Sequence, residues 1–150
     1  MRSYATLAEL QLEVGGEAVV SDWIEVTQER IQLFADATGD HQWIHLDPVR
    51  AKVGPFGTTI AHGFLTLSLL PEMSASAIEV RDVRMGVNYG LNKVRFPAPV
   101  PSGSRLRGHF TLMKFEPLDG GAQITYEVRM EREGSDKPVC IAESVSRRYV

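Results

Sequence analysis

Apolar positions recur at helical spacing in several stretches of this chain before residue 78, and from Ile78 onward the sequence becomes strand-like. Leu7, Leu10 and Val14 share one face of a short predicted helix leading to Gly15-Gly16. The Val, Trp and Ile content of the next stretch predicts a strand over 18–26, although its alternation is imperfect. Thr27 then stands where an N-cap belongs, and Glu29 suits the positive end of a helix dipole. Ile31, Phe34, Ala35 and Thr38 follow at helical spacing. Gly39 ends that helix, since it takes positive φ without steric cost, and Asp40 is the first residue thrown clear of it.

Residues 41–46, HQWIHL, are too short and too mixed to predict a regular element. Asp47-Pro48 reads as the cap and first residue of another short helix, closed by Gly54-Pro55. After the turn-rich GPFGTT, the run IAHGFLTLSLL carries almost no charge, and a helix apolar nearly all round is expected to be buried on several sides. Pro71 should kink or interrupt it, with the pattern resuming at Met73 and Ala77.

Beyond Ile78 four strand-like stretches are separated by PSG, DGG and GSD turns. In one of them Ile124, Tyr126, Val128 and Met130 share a face while Thr125, Glu127, Arg129 and Glu131 share the other, as in a half-buried antiparallel strand. Prolines 97, 99 and 101 are expected to end an edge strand. Helices first and an antiparallel meander afterwards make an α+β class, with a curved sheet wrapped around a buried helix. The free edges of such a sheet favour pairing with a second copy, hence a homodimer.

The 150 residues, 43% of them hydrophobic, fit one compact domain over 1–150 that needs no metal or disulfide staple. A net charge of -3, with Lys and Arg dispersed, excludes the basic footprint of a nucleic-acid binder. Cys140 is the single cysteine, in an apolar strand-like run, and reads as a small buried hydrophobe in a reducing compartment. No N-terminal apolar h-region is present, and no stretch approaches the roughly 20 apolar residues that span a bilayer. A cytoplasmic protein without membrane contact is the expectation.

Candidate chemistry concentrates between Phe34 and Leu70. Asp40 and His45 are a carboxylate and an imidazole pinned between helix boundaries, and Gly63 lies near the start of the apolar helix. A carboxylate and an imidazole can hold a water and move its protons, while free N–H groups at a helix start stabilise a developing oxyanion. Taken singly, Asp40 has a competing reading as a turn residue and His45 as a satisfied polar one. His41 and His45 with Asp47 nearby suggest a metal set, but the glutamate of a zinc-protease motif is absent and Pro48 argues against a helix here. No G-x-S-x-G elbow supports a serine nucleophile.

The stretch GDHQWIH, followed by IAHGFLTLSL and later by NYGLNKVRFPAPVPSG, resembles the MaoC-like dehydratases of the (R)-specific enoyl-CoA hydratase type. The family's motif runs Gly-Asp, a variable residue, Asn-Pro, an aliphatic residue and His. Gly39, Asp40, Ile44 and His45 match it, while Gln42 and Trp43 replace the Asn and Pro. The resemblance implies a hot-dog fold, an antiparallel sheet wrapped around a long central helix, working as a dimer. It implies Asp40 and His45 as the catalytic pair and Gly63 as oxyanion donor. The implied reaction is hydration of trans-2-enoyl-CoA to (R)-3-hydroxyacyl-CoA, or the reverse dehydration. That chemistry requires no metal or redox cofactor, and coenzyme A or an acyl carrier enters as part of the substrate. Apolar Trp43, Phe56 and Phe64 are candidates to wall an acyl pocket, with ordinary core packing as the competing reading. Lys93 and Arg95 are candidates for the phosphates of coenzyme A, against a solvated strand face. A hot-dog thioesterase and a non-catalytic acyl-thioester-binding module remain as alternatives.

Overall fold

The computed structural model describes residues 1–150. A short strand β1 (Arg2–Tyr4) leads into α1 (Leu7–Gln11), which buries Leu7 and Leu10. Val14 lies beyond that helix and is exposed, so only part of the predicted apolar face exists. The expected strand over 18–26 is two strands, β2 (Val19–Val20) and β3 (Ile24–Val26). Ser21 causes the break. Its N–H donates to the Gly108 carbonyl at 2.9 Å, while its hydroxyl accepts from the Gly108 N–H at 2.8 Å. Three residues, Ser21 to Trp23, therefore stand opposite two, Gly108 and Arg107, and the chain bulges.

Helix α2 (Gln28–Thr38) starts and stops where its caps dictate. The Thr27 side chain accepts from the Arg30 N–H, and Gly39 closes the helix in the left-handed region at φ 80°. Residues 41–46 differ from expectation, since Trp43–Leu46 make one helical turn, α3. Helix α4 (Pro48–Lys52) follows, with the Asp47 carboxylate accepting from the Arg50 N–H.

The central helical segment is in two pieces, α5 (Gly63–Ser68) and α6 (Leu70–Ala77), rather than one long helix. Pro71 sits in the first turn of α6, where its missing N–H costs nothing, and the break falls just before it. Leu65, Thr66, Leu69, Met73 and Ala77 are buried. Phe64 and Ser68, one turn apart, face outward, and Phe64 is 71% exposed, so α5 is covered on one side rather than on several.

Strand β4 (Ile78–Val80) pairs in parallel with β1. The main sheet contains β5 (Met85–Arg95), β6 (Ser104–Leu118), β7 (Gly121–Arg132) and β8 (Cys140–Tyr149). Its order is β2-β6-β7-β8-β5, every pair antiparallel, with β3 also on β6. Gly103, Gly120 and Gly134 take positive φ in the three turns expected to need it. β5 is the edge strand at one end of the sheet, and the prolines follow it.

The inner face of the sheet presents Leu106, Phe110, Ile124, Val128 and Met130 to Leu65, Leu69 and Met73 of the helices, in one continuous core. The α+β wrap is thus present. Thr125, on the charged face of β7, is nevertheless buried. Along β8 the inward row changes character: Cys140 and Ala142 are buried in the core, and Ser144, Ser146 and Arg148 follow in the same register. No helix is long and apolar enough to cross a membrane.

Candidate active site

Three elements converge on His45. It lies in α3, whose single turn is held between the αL exit of α2 and the Asp47 cap of α4, and it is only 6% exposed. Its ring Nδ1 is 2.7 Å from the carbonyl of Ile60, an acceptor only, so Nδ1 carries the proton and Nε2 is left bare in the neutral ring. The backbone is fixed as firmly. The Gln28 side-chain amide donates to the His45 carbonyl at 2.7 Å, and the Thr59 hydroxyl donates to the Gln28 carbonyl oxygen at 2.7 Å. Burial lowers the pKa of His45 below 6.5; the positive field of His62 acts in the same direction, while the Ile60 bond and the Asp40 carboxylate oppose it.

Asp40 follows the Gly39 cap and is exposed, with one carboxylate oxygen accepting from the Gln42 N–H at 3.3 Å. The Gln42 side chain makes no capping bond of its own. His62 is the organiser of this corner. It is buried, its Nε2–H donates to the Asp40 carbonyl at 3.0 Å, and its ring stacks on His45 at 3.8 Å. Phe34 of α2 closes the other side of the ring, 4.9 Å away. Sequence could not assign the roles of His62, Gln28 and Thr59, because each acts through contacts far along the chain. The adjacency of His62 to Gly63 was its one visible signal.

A carboxylate oxygen of Asp40 and a ring nitrogen of each histidine lie within 4.8 Å of one another. Two hydrogen bonds of about 2.8 Å meeting at one water span roughly that distance, so a single water can bridge the carboxylate and an imidazole. The same three groups form a nominal metal set. A metal lies in the plane of each imidazole that binds it, and two rings stacked at 3.8 Å and inclined by 26° share no such point at bonding distance.

Gly63 is the first residue of α5, where an N–H has no intrahelical acceptor. It shares a cleft of about 270 Å³ with Phe56, Thr66 and Phe96. An added Cβ at Gly63 would meet the Phe96 ring at 3.0 Å, so glycine keeps this wall close. Phe64 points outward and meets Phe96 edge-on, ring centroids 6.2 Å apart. Trp43 carries the Arg50 guanidinium 4.2 Å over its ring and packs against Gly54. Lys93 and Arg95 are exposed on β5, in register with Glu143 and Ile141 of β8. Val94 between them packs on the core, so both cations lie on the sheet face opposite the helices and are not brought to the Asp40–His45 corner within one protomer.

The profile of the family described as "MaoC like domain" matches residues 9–134. The chain is 55% identical over 148 residues to 3-hydroxyacyl-thioester dehydratase Z of Mycobacterium tuberculosis, covering 98% of both chains. Among solved structures, a monoamine oxidase regulatory protein from Archaeoglobus fulgius superposes with a TM-score of 0.77 at 25% identity, over 99% of this chain and 97% of that one. An unliganded R-hydratase from Pseudomonas aeruginosa gives 0.76 at 24% identity, over 97% and 86%, and shares the fold.

Proposed function

The chain belongs to the MaoC-like dehydratase family, and from that premise we propose that it is a hydro-lyase of acyl thioesters, hydrating trans-2-enoyl-CoA to (R)-3-hydroxyacyl-CoA or running the reverse dehydration. The observation that carries the reading is the water-sized span between the Asp40 carboxylate and the imidazoles beside the first turn of α5.

In this mechanism Asp40 and His45 hold one water over the double bond, and the thioester oxygen rests against the Gly63 N–H. One water O–H bond breaks toward the pair as the oxygen bonds to carbon 3. The π electrons pass to carbon 2 and on to the thioester oxygen, where enolate charge develops against the helix N-terminus. A proton from the pair then completes the C–H bond at carbon 2. Dehydration runs the same bonds backward. The lowered pKa of His45 leaves it neutral at pH 7, with Nε2 free to accept. Asp40 and His45 act as a coupled pair, so the proton belongs to the site rather than to one residue. The chemistry uses no metal or redox cofactor, and coenzyme A or an acyl carrier arrives with the substrate. Phe56 walls the cleft beside Gly63. We further propose a single-domain homodimer joined along β5, with Lys93 and Arg95 serving phosphates of coenzyme A only in that assembly.

The test is loss of enoyl absorbance on incubation with trans-2-enoyl-CoA thioesters of short, medium and long chain. Wild type is expected to be active, and Asp40→Asn and His45→Gln each to lose about a hundredfold or more. Release of free thiol without hydration would replace this reading with a thioesterase. Thioester binding with neither reaction would leave a binding module.

A further inference from the structure

We infer that the cavity between α6 and the inner face of the sheet receives the far end of an acyl chain bearing a terminal carboxylate, recognised by Arg148 with Tyr126. The inference rests on the hydro-lyase reading for the reaction, not for the binding site.

The inward row of β8 departs from the rule that a sheet is apolar where it faces a core. Ser144, Ser146 and Arg148 stand where aliphatic residues would close the packing, and a cavity of about 230 Å³ lies over them. Asn88, Ser74 and Tyr126 complete its polar lining, and no Asp or Glu is among its residues. Arg148 therefore carries a positive charge into a chamber with no countercharge. It has no carboxylate within 4.0 Å and its guanidinium makes no hydrogen bond, whereas Arg105 and Arg107 are each clamped on a glutamate.

Room for the guanidinium is built in. Gly86 lies opposite Arg148 in the β5–β8 register, and an added Cβ there would meet Nη1 at 3.0 Å. The Tyr126 phenol, raised in pKa chiefly by burial with Arg148 opposing, stays protonated at neutral pH and is a donor beside the cation. An arginine and a phenol converging on one space are matched to a carboxylate, which accepts from both. An alkyl end would desolvate the same groups and leave them unpaired.

The chamber also lies at the reach of a chain anchored at the catalytic corner. An adjoining cavity of about 340 Å³ shares Leu70, Pro71, Asn88 and Ser144 with it and extends to Leu67 and Ser68 of α5, the helix that Gly63 begins. From Gly63 to Leu70 the helical rise is roughly 10 Å at ~1.5 Å per residue, a distance that about eight carbon–carbon bonds cover. The fitting substrate is a medium-length enoyl thioester whose last carbon is a carboxylate.

The experiment compares trans-2-decenoyl-CoA with trans-2-decenedioyl-CoA, equal in length and different only at the far end, in wild type, Arg148→Met and Arg148→Lys. The ratio of kcat/KM, diacid over monoacid, is expected to fall about tenfold to a hundredfold in Arg148→Met and less in Arg148→Lys, the range of a lost charge-assisted bond. Because the ratio is taken within each variant, a smaller folded fraction cancels. Binding of saturated decanoyl-CoA and decanedioyl-CoA by calorimetry needs no turnover. If no enoyl thioester is hydrated but the diacid binds better in an Arg148-dependent way, the reaction is wrong and the site stands. An equal ratio in wild type and Arg148→Met, in rate and in binding, overturns the inference.

Discussion

His45 combines two constraints in one ring: its Nδ1 is committed to the Ile60 carbonyl, and its burial disfavours the charged form. With the native pKa below 6.5, native and unfolded chains are equally unprotonated at this site above that pH. As the pH falls beneath 6.5 the unfolded chain takes up the proton first, so stability is full above 6.5 and is lost as pH falls through the lowered native value. Thermal unfolding between about pH 7 and 5 should therefore lower the Tm of wild type by roughly a few degrees more than that of His45→Gln, where this slope is gone. Asp40 and His45 were legible in sequence because the signals that place them are local: Gly39 before one, Asp47-Pro48 after the other. Gln28 and Thr59 were not, since Gln28 grips the α3 backbone from 17 residues away and Thr59 in turn holds Gln28 from 31 residues away, relations no periodicity encodes.

Elements whose limits are set by their own caps matched expectation, and those set by distant partners did not. α2 runs from its threonine to its glycine, and the four long strands are joined by turns at PSG, DGG and GSD. The strand expected over 18–26 was divided by Ser21, whose partner Gly108 is 87 residues away. Ser21→Ala removes the only side-chain acceptor for the buried Gly108 N–H, and urea titration should show a loss of about 1–3 kcal/mol with little change in m. The central helix was expected to be covered on several sides because its composition is apolar all round. Composition does not say what supplies the cover, and on the Phe64 side this protomer supplies little beyond the edge of Phe96.

Over the whole molecule the least covered feature is β5. It is exposed at every position but Val94, and one side of its ladder has no partner. Met85, Val87, Tyr89 and Leu91 stand open on it, from 43% to 57% exposed. A long apolar free edge is a template for pairing. Sedimentation should give twice the 16.6 kDa of the chain, and Leu91→Glu should shift the distribution toward one copy. The register of β2 and β3 has a different consequence, one of order in time. Both pair only with β6, so a growing chain holds the Asp40–His45 corner without its flanking sheet until residues 104–110 have been made. Closing a loop of that length precedes any reward from the contacts it brings. The half of the chain made first thus waits on the half made last, and the corner that carries the chemistry is shaped from the far end of synthesis backward.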